Sequence, residues 1–269
     1  MLVNGKQADL ISIRDRGLLY GDGVFRTLRA TGGHALYWHL HYLKLQHDCA
    51  ALGITCPDVT LLSAELNSLL KLHPDGVIKV IVTRGVGARG YAPAPHVNPT
   101  HLWDVSPAPD YPADWSTAGV TARLCQLRLC QQPRLSGIKH LNRLENVLAA
   151  DEWNDADIAE GLLMDAFDNV IEGIRSNLFV VSQGELITAD LSRCGVAGVQ
   201  RDRVIAWAKQ HEMPLQVRDI KLDELMHADE LFLVNSIIGL WPIRELDQRR
   251  WRDFPVSTQI RASLAGESA

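Results

Sequence analysis

The sequence has little that would bring it to a nucleic acid, a membrane or a metal. Lys and Arg number 27 against 32 Asp and Glu, a formal charge of −5, and no basic run is longer than a pair. Without a basic field to displace counterions from a phosphate backbone, nucleic acid is not an expected partner. No stretch approaches the roughly 20 apolar residues of a membrane span. The opening MLVNGKQADL has no charged segment followed by an apolar one, as an export signal has. The expectation is a cytoplasmic protein with no membrane contact. Five cysteines (Cys49, Cys56, Cys125, Cys130 and Cys194) are an odd number without a Cys-x-x-Cys pair, so reduced thiols are expected rather than a disulfide framework or a zinc knot. The histidines, including His39, His41 and His140, form no His-Glu-x-x-His pattern, and metal catalysis is disfavoured.

What is present is enough apolar material to close a core: 46% of 269 residues are hydrophobic, which suits one large domain or two small ones. Asn4-Gly5, between two apolar stretches, predicts a hairpin turn in which both positions take positive φ. Thr31-Gly32-Gly33 predicts a second, after an alternating strand that carries Phe25, Thr27 and Arg29 on one face. Helical spacing covers residues 39–51 and 59–72, the second with Asp58 as N-cap, and GVIKVIVTRG reads as a buried strand. SPAPDYPADWSTAG is rich in proline and small residues and lacks periodicity, which predicts a linker. The division is therefore an N-terminal α+β lobe at 1–110, a linker at 111–119 and a C-terminal lobe at 120–269. The second lobe predicts a strand at VTARLCQLRLC, a helix over 142–153, short strands at LLMDAF, NVIEG, NLFVVS and ELITA, a turn at Asp168-Asn169, a helix over 199–211, a strand at LFLVNS and a C-terminal helix.

A few residues in this frame could carry chemistry. Lys139, between Ile138 and Leu141 at a strand-to-helix junction, suits a desolvated amine that condenses with a carbonyl, though taken alone it reads first as a surface lysine with a packed stem. Glu172, before Gly173 at a strand end, could keep a ring nitrogen protonated or be a solvated turn residue. In CGVAGVQRDRV, Gly195 and Gly198 precede a helix whose first amides belong to Val199 and Gln200. That arrangement suits a phosphate as well as a plain loop. Ser236 ends an apolar strand with its hydroxyl free to donate. Arg26, Arg29, Arg84 and Arg89 lie near strand ends or in the TRGVGARGY loop, where a guanidinium could hold a carboxylate.

Seven segments, YGDGVFRTLR, HLHYLKL, TRGVGARGY, GIKHLNRLENVLA, IEGIRSNLF, GVQRDRV and ADELFLVNSIIGLWPI, occur in the order and at the spacing of the fold-type IV pyridoxal-phosphate enzymes, and the chain resembles that family over nearly its whole length. The resemblance implies an α+β fold of two lobes, a smaller N-terminal α/β sandwich and a larger C-terminal pseudo-barrel, with pyridoxal 5'-phosphate between them, and a homodimer in which loops of one subunit approach the other's site. It implies Lys139 as the lysine that carries the cofactor and Glu172 as partner of the pyridine nitrogen. Val199, Gln200 and Ser236 become phosphate ligands, with Asn142 among the cofactor-binding residues. Lys44 stands in HYLKL where the family has an arginine in His-x-x-Arg-Leu; it keeps the charge and loses the two-point fork. Within the family, GIKHLNRLE and RGVGARGY are most similar to the aminodeoxychorismate lyases, which convert 4-amino-4-deoxychorismate to 4-aminobenzoate and pyruvate for folate synthesis. That likeness implies Thr27 as a catalytic and substrate-pocket residue, and Arg89, Arg26 and Tyr91 as substrate-binding residues. An aminotransferase acting on branched-chain or D-amino acids would use the same Lys139 and Glu172, and a non-catalytic binding protein could keep the fold.

Overall fold

The computed structural model describes residues 1–95 and 97–266 and divides the chain into two compact units. Unit 1 comprises Met1–Pro109 together with Ile138–Asn142; unit 2 comprises Asp110–Gly137 and the chain from Arg143 onward.

In unit 1 the elements are β1 (Leu2–Val3), β2 (Lys6–Gln7), α1 (Arg16–Tyr20), β3 (Gly23–Thr31), β4 (His34–Ala35), α2 (Trp38–Leu52), α3 (Val59–Leu72), β5 (Gly76–Thr83) and β6 (Thr100–Ser106). The strands form an antiparallel sheet in the order β2-β1-β6-β5-β3-β4. Asn4 and Gly5 take φ of 48° and 74° in the first hairpin, and Gly32 and Gly33 take 56° and 79° in the second, the positive values their turns require. Alternation along β3 sends Val24, Arg26, Leu28 and Ala30 to the buried face and leaves Phe25 and Thr27 half-buried on the other. The buried face packs with Ile78, Val80 and Val82 of β5 against Leu45 and Cys49 of α2 and Leu62, Leu66, Leu69 and Leu70 of α3. The spacing of the α3 leucines is the helical repeat that makes the helix legible, and the Asp58 carboxylate caps it by accepting the Thr60 N–H at 2.7 Å.

Ile138–Asn142 joins this unit because its backbone continues the sheet. The Phe25 N–H donates to the Lys139 carbonyl at 2.9 Å and the Leu141 N–H to the Gly23 carbonyl at 3.0 Å, and Ile138 enters the same apolar core. A division at 111–119 alone misses this return of the chain.

Unit 2 contains α4 (Trp115–Ala118), β7 (Val120–Leu129), α5 (Leu144–Ala150), β8 (Ile158–Asp165), β9 (Val170–Gly173), β10 (Asn177–Ser182), β11 (Glu185–Ala189), α6 (Val199–Gln210), β12 (Leu215–Arg218), α7 (Leu222–Met226), β13 (Glu230–Asn235), β14 (Gly239–Leu246), β15 (Arg249–Arg250) and α8 (Pro255–Gly266). The sheet order is β12-β11-β10-β13-β14-β7-β8-β9, with β15 on β14. Because β9 pairs with β8 and also with β10, the ladder β10-β13-β14-β7-β8-β9 closes into a six-stranded barrel and loses its free edges. The apolar runs NLFVV and ELFLV follow from burial on both faces. Leu178, Val180, Leu231 and Leu233 fill one side, while Phe179, Val181, Phe232 and Val234 pack outward against Val204 and Trp207 of α6 and Ile260 and Leu264 of α8.

The 111–119 segment is not a free linker. Tyr111 and Trp115 set their rings edge-on against Trp241 at 4.8 and 4.9 Å, so its proline-rich composition conceals aromatic anchors. The helix expected over 142–153 is confined to α5, and β6 and β14 lay outside the sequence reading.

Candidate active site

In unit 1 the site is built on the two faces of β3. On the half-buried face, the amine of Lys139 lies over the Phe25 ring at 4.6 Å from its centroid, and Lys79 lies over the same ring at 5.0 Å. Thr27, two residues along that face, is the cross-strand partner of Lys79. The position of Lys139 is fixed from behind: its backbone N–H donates to the Asp48 carboxylate at 3.0 Å. Asp48, 2% exposed, also forms an ion pair with Arg26, equally buried, whose guanidinium reaches the Lys44 carbonyl at 3.2 Å.

The buried side of α2 is thus partly polar, with His41 and Asp48 among its buried residues. Neither ring nitrogen of His41 has a hydrogen-bond partner within the described residues. Burial, reinforced by the charges of Arg26 and Lys139, pushes this imidazole down to about 3 and keeps it neutral. Lys44 is half-buried and its charge also acts on His41.

In unit 2 a second group of residues meets at one end of three neighbouring strands. Glu172 of β9 is opposite Asn177 of β10, which is opposite Val234 of β13, and Ser236 follows the end of β13. The Glu172 carboxylate is 4% exposed; it accepts the Val196 N–H at 2.9 Å and the Asn177 amide at 3.4 Å. Asn177 also donates to the Val196 carbonyl at 2.8 Å and accepts the Gly198 N–H at 3.2 Å. One side chain therefore ties the carboxylate to the N-terminus of α6.

The glycines of this loop are required by close approach. A Cβ on Gly198 would come within 2.4 Å of the Asn177 side-chain oxygen. One on Gly195, where φ is +85°, would lie 2.7 Å from Leu191 and 2.9 Å from Ile171. Among the described residues no side chain caps α6, and the N–H groups of Val199 and Gln200 lie in the first turn, at the helix's positive end, where backbone donors have no partner within the helix. Arg201, on the same first turn, is buried, donates to the Ala189 carbonyl at 3.0 Å, and its charge is felt by Glu172.

Several expected residues are placed elsewhere. Arg26 points to the helix-covered face, opposite Thr27, and is occupied by Asp48, so it is not a substrate ligand; strand alternation decides this. Asn142 is exposed and donates to the Gly21 carbonyl at 3.2 Å. It anchors a turn at a glycine with φ of 64°. Arg84 is spent on Asp22 at 2.8 Å and on the Leu52 and Gly53 carbonyls. Arg89 and Tyr91 lie exposed on the loop after β5. Residues missed in the sequence are Asp48, Asn177 and Arg201. Only Arg201, a basic residue at a helix start, carries a local signal; the places of Asp48 and Asn177 depend on contacts with residues distant in the chain or across strands.

Residues 23–246 match the family model described as Amino-transferase class IV. The chain is 33% identical to the aminodeoxychorismate lyase of Vibrio harveyi over 261 residues, 96% of each chain. It is also 33% identical over 258 residues to a putative branched-chain-amino-acid aminotransferase of Methanocaldococcus jannaschii, covering 92% of this chain and 88% of the relative. The crystal structure of 4-amino-4-deoxychorismate lyase from Pseudomonas aeruginosa superposes with a TM-score of 0.95 at 44% identity, covering 99% of this chain and 98% of that one. With a family match over most of its length and a matching fold, this chain belongs to the class IV amino-transferase family.

Proposed function

We propose that the protein is a pyridoxal-phosphate-dependent lyase that converts 4-amino-4-deoxychorismate to 4-aminobenzoate and pyruvate. The observation that carries this reading is Thr27, a hydroxyl on the same sheet face as Phe25, over whose ring the Lys139 amine sits. It is joined by the likeness to two proteins named as lyases, at 33% and 44% identity.

The donor set fits the cofactor. Lys139 supplies a primary amine for its aldehyde and Glu172 a buried carboxylate for its ring nitrogen. The uncapped Val199 and Gln200 amides with the Ser236 hydroxyl suit a phosphate dianion, and the Lys44 ammonium adds a point charge. When bound, pyridoxal phosphate supplies an electron sink for the charge left at the substrate's amine-bearing carbon. Lys139 would hold the cofactor covalently, give it up to the substrate amine, and take the proton from that carbon. Glu172 would keep the ring nitrogen protonated. Thr27 would assist delivery of the proton taken by Lys139 to the departing enolpyruvyl group, whose loss leaves an aromatic ring and so drives the elimination forward. Arg89 and Tyr91 bind substrate carboxylate from a partner subunit of a homodimer, and the enzyme works in the cytoplasm.

The test is an assay with 4-amino-4-deoxychorismate and no keto acid acceptor. 4-Aminobenzoate and pyruvate should appear in equal amounts. Turnover only when a keto acid is added would instead assign an aminotransferase. In Thr27→Gly, lyase turnover is expected to fall about 100-fold while the absorbance of the bound cofactor stays unchanged; undiminished turnover would remove Thr27 from the reaction.

Asn177→Ala removes the link between Glu172 and the start of α6 and leaves buried polar groups without their partner. Cofactor affinity, followed by quenching of protein fluorescence in the apo-protein, is expected to weaken roughly 10- to 100-fold. Unchanged affinity would show that the backbone alone holds the two ends in place.

A further inference from the structure

Beside the site, the end of α2 and the loop that follows it carry a pair of thiols that the reaction does not use. Cys49, which follows Asp48, is wholly buried, and Cys56, in the loop before α3, is half-buried. Cys56 and Tyr42 pack against the apolar cluster that contains Cys49, close enough that each thiol acts on the ionisation of the other.

The backbone brings them together. Gly53, at φ 65°, closes α2 by donating to the Ala50 carbonyl, and the Ile54 N–H donates to the Cys49 carbonyl at 2.8 Å. The chain then runs back along the helix, so that the carbonyl of Pro57 accepts the Tyr42 hydroxyl at 3.1 Å. Tyr42 and Cys49 are two helical turns apart on one face, and Cys56, the residue before Pro57, meets that stripe. Arg84 pins the start of the loop through the Leu52 and Gly53 carbonyls at 2.7 and 2.6 Å.

We propose that Cys49 and Cys56 are a modification site, forming an intramolecular disulfide on reaction with low-molecular-weight disulfides of the glutathione type. In the first step the Cys56 thiolate attacks one sulfur of the external disulfide, a Cys56 mixed disulfide forms, and one small thiol leaves. In the second, Cys49 loses its proton, its sulfur attacks the Cys56 sulfur, and the second small thiol leaves. Two S–H bonds of the protein are replaced by one S–S bond, and two electrons and two protons reduce the external disulfide to two thiols.

The chemistry of the other cysteines singles out this pair. The Cys49 contact holds the Cys56 thiol below the ordinary thiol range, whereas the same contact raises that of Cys49. Burial pushes Cys125 and Cys194 up to about 12. Cys130 is exposed, its thiol raised by the neighbouring Glu145 carboxylate.

The test uses the Cys130→Ser protein, which keeps four of the five cysteines, treated with glutathione disulfide, quenched in acid and weighed intact. The expected product has lost two hydrogens, retains no glutathione, titrates two thiols instead of four, yields a peptide joining Cys49 to Cys56, and reverts with dithiothreitol. Adding Cys49→Ser should trap one glutathione on Cys56. An unreacted Cys56, or a lasting glutathione adduct on Cys56 while Cys49 is intact, overturns the proposal, and the Cys130→Ser protein alone decides it if the double variant does not fold.

Discussion

Lys139→Ala is expected to abolish the near-visible absorbance that borohydride bleaches in the wild-type protein, and to lower turnover by on the order of 10⁴-fold or more. Two losses combine in that figure. The variant has no amine to hold the cofactor covalently, and it has no group placed to take the substrate proton, a role that by itself contributes about 10²–10⁴-fold. The fold should survive, because what fixes this segment is backbone: the Lys139 N–H to Asp48, its carbonyl to the Phe25 N–H, and Ile138 in the core. Thermal unfolding of the variant within a few degrees of wild type would show that the loss is chemical. A band that persists in Lys139→Ala, still reducible by borohydride, would assign the covalent link to another amine, and Lys79, against the same Phe25 ring, would be the first to replace.

Asp48→Ala is expected to be the most destabilising of the single changes considered, by about 3–5 kcal/mol. The reason is what it leaves behind. Arg26 keeps its charge at 2% exposure beside the Lys44 carbonyl, and removing one partner of a buried ion pair exposes the desolvation cost that the pair had offset. Set against a typical total stability of about 5–15 kcal/mol, the shift is large, and a urea denaturation curve measures it directly. Replacing both residues by apolar ones, Asp48→Leu with Arg26→Met, should recover much of the loss, because no buried charge then remains. A single-variant loss below about 1 kcal/mol would mean that water reaches Arg26 and that Lys139 is held by the strand contacts alone.

These expectations depend on residues of unequal legibility. Lys139 and Glu172 stand out as candidates in the sequence because each lies inside an ordered motif, and the Val199–Gln200 amides because glycines precede a helix. Asp48 was not recognisable: HYLKLQHDCAAL repeats its apolar residues at helical spacing, and nothing in the string tells which polar residue on the stripe will be buried. That depends on Arg26, 22 positions away, being turned to the same side by the alternation of β3. Asn177 was hidden for a similar reason, since its role arises from a strand pairing with Glu172 and a hydrogen bond to Gly198, neither of which is local. Arg26 illustrates the converse. As one of several arginines near a strand end it resembled a carboxylate ligand, and only its parity on β3 assigned it to the interior.

The sequence by itself determined the elements whose cause is local: the Asn4-Gly5 and Gly32-Gly33 turns, which need positive φ; α3, with its leucine stripe and Asp58 cap; the doubly buried strands β10 and β13; and the motifs that fix the family. Tertiary structure alone decided which five residues around Lys139 return to the first unit, how β9 closes the barrel onto β10, which face of β3 each side chain takes, and which carboxylate holds the Lys139 segment. The physical reason is the range of the forces involved. Turn and helix preferences act over a few residues and are written into neighbouring letters, whereas burial, ion pairing and strand register arise between residues far apart in the chain and exist only once the chain has packed.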